Sequence, residues 1–236
     1  MSTETVVLLG TAATIGFVHT LIGPDHYLPF IVLSKARNWS TKKTVLITFL
    51  CGLGHVLSSV VLGFAGIAVG VAVSRLELVE SLRGEIASWV LIGFGVMYTA
   101  WGIRRAVRNR PHTHFHAHVE GETHRHEHGH VGEHGHVHDT KARRLTPWAL
   151  FIIFVLGPCE PLIPLLMYPA ATGNILDVTA VASVFGVVTI GTMLGVVLVL
   201  RSGLARLPLG PIERYAHALA GLAILMSGGA MKLFGL

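Results

Sequence analysis

Six apolar runs govern what this chain can fold into. They cover approximately residues 5–33, 44–74, 86–104, 147–170, 178–200 and 212–234. A run of about 20 apolar residues crosses the roughly 30 Å hydrocarbon core of a bilayer as a helix. The chain is 52% hydrophobic and only 13% charged, too apolar for a soluble domain of 236 residues. The runs are therefore read as membrane spans rather than buried core helices. The expected fold is all-α, a polytopic bundle of six transmembrane helices whose surroundings are the lipid bilayer. The N-terminal stretch MSTETVVLLG lacks a basic region, and the apolar run continues past signal length, so the first segment is expected to be a retained helix.

The loops set the expected orientation. The first carries Lys35, Arg37, Lys42 and Lys43, the third Arg104, Arg105, Arg108, Arg110, Lys141, Arg143 and Arg144, and the fifth Arg201 and Arg206. The second mixes Arg75 and Arg83 with Glu77, Glu80 and Glu85, and the fourth has only Asp177. Odd loops are basic and even loops are not, which places odd loops in the cytoplasm and both termini outside, in a cell inner membrane. Basic residues used this way imply no nucleic-acid partner. Cys51 and Cys159 lie in apolar stretches and form no CxxC, so neither a disulfide framework nor a zinc knuckle is indicated. No GxxxxGK[ST] phosphate loop occurs. No enzymatic activity and no permanently bound cofactor are expected. A homo-oligomer is compatible with the sequence and not specified by it.

The chain divides into a first three-helix unit, residues 1–108, a His-rich loop, 109–146, and a second three-helix unit, 147–236. The loop's core, 111–140, contains eleven of the fifteen histidines, mostly as H-x-H pairs. It has no apolar period, is expected to be disordered and cytoplasmic, and has the composition of tracts that bind borderline metals. The flanking units match internally. Gly23-Pro24-Asp25-His26, followed by Leu28 and Pro29, has its counterpart in Gly157-Pro158-Cys159-Glu160, followed by Leu162 and Pro164. Gly52, His55 and Ser58 share their spacing with Gly186, Thr189 and Thr192. Three spans per unit reverse the second unit's entry side, so the repeats are expected to be inverted, with spans 1 and 4 broken by Gly-Pro. Paired broken helices in inverted repeats are where secondary transporters bind substrate.

Inside the spans, Asp25 and Glu160 read as the deep carboxylates, with no Lys or Arg at that depth. A charge at the bilayer centre costs about 2.5–3.5 kcal/mol on insertion scales, so unpaired acids there call for protons or a cation. His19, His26 and His55 add imidazoles to the same region. Cys159, between Pro158 and Glu160, is a further candidate ligand. Mixed nitrogen and oxygen donors suit a divalent first-row transition ion. The expected metal-site residues are His19, Asp25, His26, His55, Cys159 and Glu160. His217 and Cys51 are read as packing residues.

A histidine followed by a PDH-type motif in the first span, a GxGH in the second, a His-rich insert and a Pro-Cys element in the fourth resemble the nickel/cobalt transporter superfamily. The six-span nickel/cobalt efflux proteins and urease-accessory nickel permeases are the members it is most similar to. The resemblance implies Ni²⁺ or Co²⁺ as transported substrate, bound through His19, Asp25 and His26. GPCEPLIP also resembles sulfite-exporter-like and thiol-redox membrane families of the same broad fold. The alternative reading is therefore a sulfite or thiol-compound exporter, or a thiol-redox membrane protein using Cys159.

Overall fold

The computed structural model describes residues 2–108, 112–117, 123–128, 139–206 and 210–234. The first helix, α1 (Thr3–Ile22), starts at Ser2, whose Oγ accepts from Thr5 N–H at 3.1 Å. It stops at Gly23, which is extended (φ −78°, ψ 100°) because the following Pro24 ring excludes helical backbone there. A short 3-10 turn, Pro24–His26, leads into α2 (Leu28–Ala36). Helix α3 (Thr41–Val69) is capped by Ser40 and ends in a Schellman motif at Gly70, φ +69°, with Val71 N–H on Gly66 O and Gly70 N–H on Ile67 O.

Helix α4 runs from Val73 to Arg108, about 54 Å at 1.5 Å per residue. The third span was expected only over 86–104. The supposed second loop is in fact helix, and only Gly70–Ala72 joins α3 to α4. The insert contains two strands, β1 (His112–Ala117) and β2 (Thr123–His128), paired antiparallel with His112 opposite His128 and His116 opposite His124. Disorder was expected there. The H-x-H alternation has the period of a strand, and that is the pattern the pairing follows. The remaining residues between 109 and 138, and the metal-binding side chains expected in this tract, lie outside what the structure describes.

The second unit begins with α5 (Asp139–Leu156), breaks at Gly157–Pro161 and resumes as α6 (Leu162–Ala171). Then follow α7 (Ile175–Arg206), a 3-10 turn (Gly210–Tyr215) and α8 (Ala216–Phe234). Among the described residues, five helical segments are long and apolar enough to cross a membrane: Thr3–Ile22, Thr41–Val69, Val73–Arg108, Ile175–Leu204 and Ile212–Phe234. The expected span 147–170 is instead two shorter apolar helices, Thr146–Leu156 and Leu162–Ala171, divided by the break. The protein is a helical, multi-pass membrane protein.

Large apolar side chains cover the outside, among them Val61, Leu176, Val187 and Val199. Water would penalise that surface, and hydrocarbon does not. Two apolar clusters lie inside. One gathers Phe30, Leu33, Leu91, Leu150, Phe154, Met193 and Ile224, and the other Ala12, Cys159, Leu162, Leu166, Val178 and Phe185. Helices α4 and α8 approach backbone to backbone through glycines, as membrane helices do where small residues let them. A methyl on Gly102 would stand 2.4 Å from Ala218 N, and one on Gly221 would stand 2.4 Å from Thr99 N. Gly93 on the same helix faces open space. Gly102→Ala is therefore expected to destabilise the bundle by about 1–3 kcal/mol, the usual cost of overpacking. Gly93→Ala should be neutral or slightly stabilising. Apparent melting temperatures of the two variants in detergent check the contrast.

Candidate membrane-embedded site

Both helix breaks bring side chains to one place. His19 is in the last turn of α1, His26 closes the 3-10 turn after it, and His55 sits mid-way along α3. The His19 and His26 ring centroids are 4.8 Å apart and edge-on, and those of His26 and His55 are 5.1 Å apart and nearly perpendicular. One ligand nitrogen from each ring lies within 4.8 Å of the other two.

The hydrogen bonds explain how the rings are aimed. His26 Nδ1 is 3.2 Å from Gly23 O and 3.3 Å from Asp25 Oδ1. His55 Nδ1 is 3.3 Å from Phe154 O. A carbonyl only accepts, so each of these Nδ1 atoms carries a proton, and in the neutral ring Nε2 is then a bare lone pair. His19 Nε2, His26 Nε2 and His55 Nε2 are all buried without a hydrogen-bond partner. Three imidazoles stand in one group, each with a buried, unpartnered Nε2 and two with Nδ1 facing a carbonyl acceptor, and such acceptors set ring orientation where histidines bind a metal.

The other expected site residues fall around this triad. Asp25 turns its carboxylate to His26 and supports that ring. Glu160 is exposed on the wall of a cavity of about 460 Å³ that also reaches His19, Asp25, His26, Pro158 and Pro161. Cys159 is fully enclosed and packs in the cluster with Ala12, Leu162 and Phe185. Its N–H donates to Glu80 Oε2 at 3.0 Å and to Ser59 Oγ at 3.2 Å. Cys51 and Cys159 are free thiols in separate clusters. Cys51 stands two turns before Ser59, about 12 Å along α3.

Sequence reasoning missed one pair. Asp25 and Glu160 were expected to be the deep carboxylates, with no arginine at that depth. Glu80 is completely buried and ion-paired with Arg83, one turn on in α4. The signal was in the sequence. Stepping back by helical turns from Leu91 through Ala87 reaches Glu80 and Leu76, so the buried stripe of α4 runs straight through the acid.

The fold and the site define a multi-pass membrane protein with broken helices around a polar centre. A family model, described as cytochrome c biogenesis protein transmembrane region, matches residues 28–230, and the chain belongs to that family. No curated protein and no solved structure matches it. The match corrects the expected relation to the nickel/cobalt transporter superfamily, and with it the expectation of Ni²⁺ or Co²⁺ transport as the function. The motifs behind that expectation are short and sit mostly at helix breaks. They specify a break with polar residues beside it, which is a property of architecture rather than of cargo. His55, Glu80, Arg83 and Cys159 lie within the matched region, whereas His19, Asp25 and His26 precede it.

Gly23 is what permits the first break to be this tight. A methyl there would stand 2.5 Å from His26 Nδ1 and 2.8 Å from Asp25 Oδ1. Gly23→Ala is expected to push both side chains aside and weaken transition-ion binding at the triad by about tenfold, as loss of outer-shell support commonly does. Titration with Co²⁺, read as the absorption difference from the His26→Ala variant so that binding elsewhere cancels, checks this. Unchanged binding would show that the turn tolerates the methyl.

Proposed function

We propose that this chain is a thiol-redox membrane protein of the cytochrome c biogenesis class, working from the break between α5 and α6 with Cys159 as its thiol. The match over residues 28–230 carries this reading. The location of Cys159 supports it, because the thiol sits at a helix break beside a cavity rather than inside a regular span. Disulfide bonding needs Cα atoms about 4.4–6.8 Å apart, and Cys51 and Cys159 belong to separate clusters. Exchange therefore runs between Cys159 and the cysteine pair of a partner protein. The Cys159 thiolate attacks the partner's disulfide, a mixed disulfide forms and one partner thiolate leaves. That thiolate then attacks the mixed disulfide and restores both starting forms, or a low-molecular-weight thiol attacks the Cys159 sulfur, so that the partner leaves as a dithiol and Cys159 stays in a disulfide with that small thiol. The thiol is enclosed in this conformation, so the break opens for exchange.

The paired Gly-Pro breaks support a six-span reading in which the broken α5–α6 counts as the fourth span and the two units are inverted repeats. The alternation of basic loops supports termini outside and the insert inside, in a cell inner membrane. In the repeat, Asp25 occupies the place of Cys159, which is why one thiol is found where two would be needed for an internal pair.

A second reading has its own observation. The three unpartnered Nε2 atoms favour a bound transition-metal ion, with His19, His26 and His55 as ligands, Asp25 behind His26, and Glu160 facing the cavity. The two readings separate experimentally. Cys159→Ser is expected to abolish mixed disulfides with membrane and periplasmic thiol proteins, trapped by alkylation in cells, while leaving Co²⁺ binding intact. His26→Ala is expected to lower Co²⁺ affinity by more than tenfold. Wild-type levels of trapped disulfide in Cys159→Ser would remove the thiol reading.

A further inference from the structure

Breaking α5 at Gly157 leaves its last carbonyls without helical partners, and hydrocarbon offers them none. Gly157 N–H takes Ile153 O at 2.8 Å and shares Phe154 O at 3.2 Å. Phe154 O also faces His55 Nδ1. Val155 O and Gly157 O go to one side chain: Arg83 Nη2 donates to them at 2.8 Å and 3.2 Å. The same nitrogen donates to Ser58 Oγ at 2.6 Å, and Ser58 Oγ donates to His55 O at 2.8 Å. Arg83 Nη1 pairs with Glu80 Oε1 and reaches Ser59 Oγ. Glu80 Oε2 in turn accepts from Cys159 N–H and Ser59 Oγ.

We propose that Glu80 and Arg83 are positioning residues, a charged latch from α4 that closes the α5–α6 break and so sets both the His55 ring and the enclosure of Cys159. Each charge compensates the other, and every hydrogen bond they make to the break is to backbone. The latch therefore fixes the path of the chain whatever the side chains there do. On one side of Pro158 it holds the carbonyls next to Phe154 O, the acceptor that decides which His55 nitrogen faces the triad. On the other it holds the N–H of Cys159. A backbone held by a guanidinium fork and a carboxylate can be released in one step, by withdrawal of one helical turn of α4.

This rests on the reading of Cys159 as the working thiol and of the triad as a metal site, and the test keeps the three apart. Full-length protein in detergent is compared as Cys51→Ser alone and as Cys51→Ser with E80Q/R83M, which removes both charges together and strands neither in the bilayer. The first measurement is alkylation of Cys159 by N-ethylmaleimide and needs no metal. It is expected to be at least tenfold faster with the latch removed. The second is the Co²⁺ absorption difference from His26→Ala, expected to change in band shape as the His55 ring loses its acceptor, which a merely stabilising pair would not cause. Ser58→Ala, which strips no charge, is expected to give a smaller acceleration and serves if the double variant does not fold. An unchanged alkylation rate in a folded variant overturns the latch. Faster alkylation with an unchanged Co²⁺ spectrum overturns its hold on His55. Absence of any Co²⁺ signal in the parent protein overturns the metal reading and leaves the alkylation arm to decide the latch.

Discussion

A backbone carbonyl in hydrocarbon has to find a donor within the protein, and this constraint organises the molecule. Continuous helices meet it internally. Two helices here do not, because Pro24 and Pro158 withhold an N–H and force the preceding glycine out of helical geometry. The freed carbonyls recruit polar side chains from neighbouring helices: His26 to Gly23 O, His55 to Phe154 O, and Arg83 to Val155 O and Gly157 O. The polar centre of the protein is thus a consequence of the breaks. The side chains that repair them are the ones whose free atoms then point inward.

Pairing of the buried Glu80 with the half-buried Arg83 follows the same logic. An ion pair in a low-dielectric interior is costly unless its remaining donors and acceptors are used. Here Arg83 donates to Glu80, both serines and two carbonyls, and Glu80 accepts from Arg83, Ser59 and Cys159 N–H. Replacing one member alone would leave a lone charge facing an unsatisfied break. The pair and the break depend on one another.

Five of the six expected spans, the two breaks and the grouping of His19, His26 and His55 were legible in the sequence, because each has a local signature: apolar runs, Gly-Pro dipeptides, and histidines stranded among apolar residues. The extension of α4 through Glu77, Glu80 and Glu85 was not read, because charges there were counted as loop residues and the helical stripe through Leu76 and Glu80 was not followed. The loop rule works on position relative to a membrane. It says nothing of a charge that a protein interior accommodates. Family membership was misread for a different reason. Short motifs at helix breaks record how backbone is interrupted, whereas the match runs over residues 28–230, from the start of α2 into α8.

The distance in sequence between α1 and its seat has a consequence for biosynthesis. Gly16 on α1 packs against Phe185 on α7, and Thr5 donates to Asp177, 172 residues further along the chain. At about 5–20 residues per second, α7 emerges roughly 10–30 s after α1. Through that interval the first helix made lacks its main partner. A nascent chain that stalls before α7 therefore holds every residue of the polar centre and lacks the main seat of α1, the helix that carries His19.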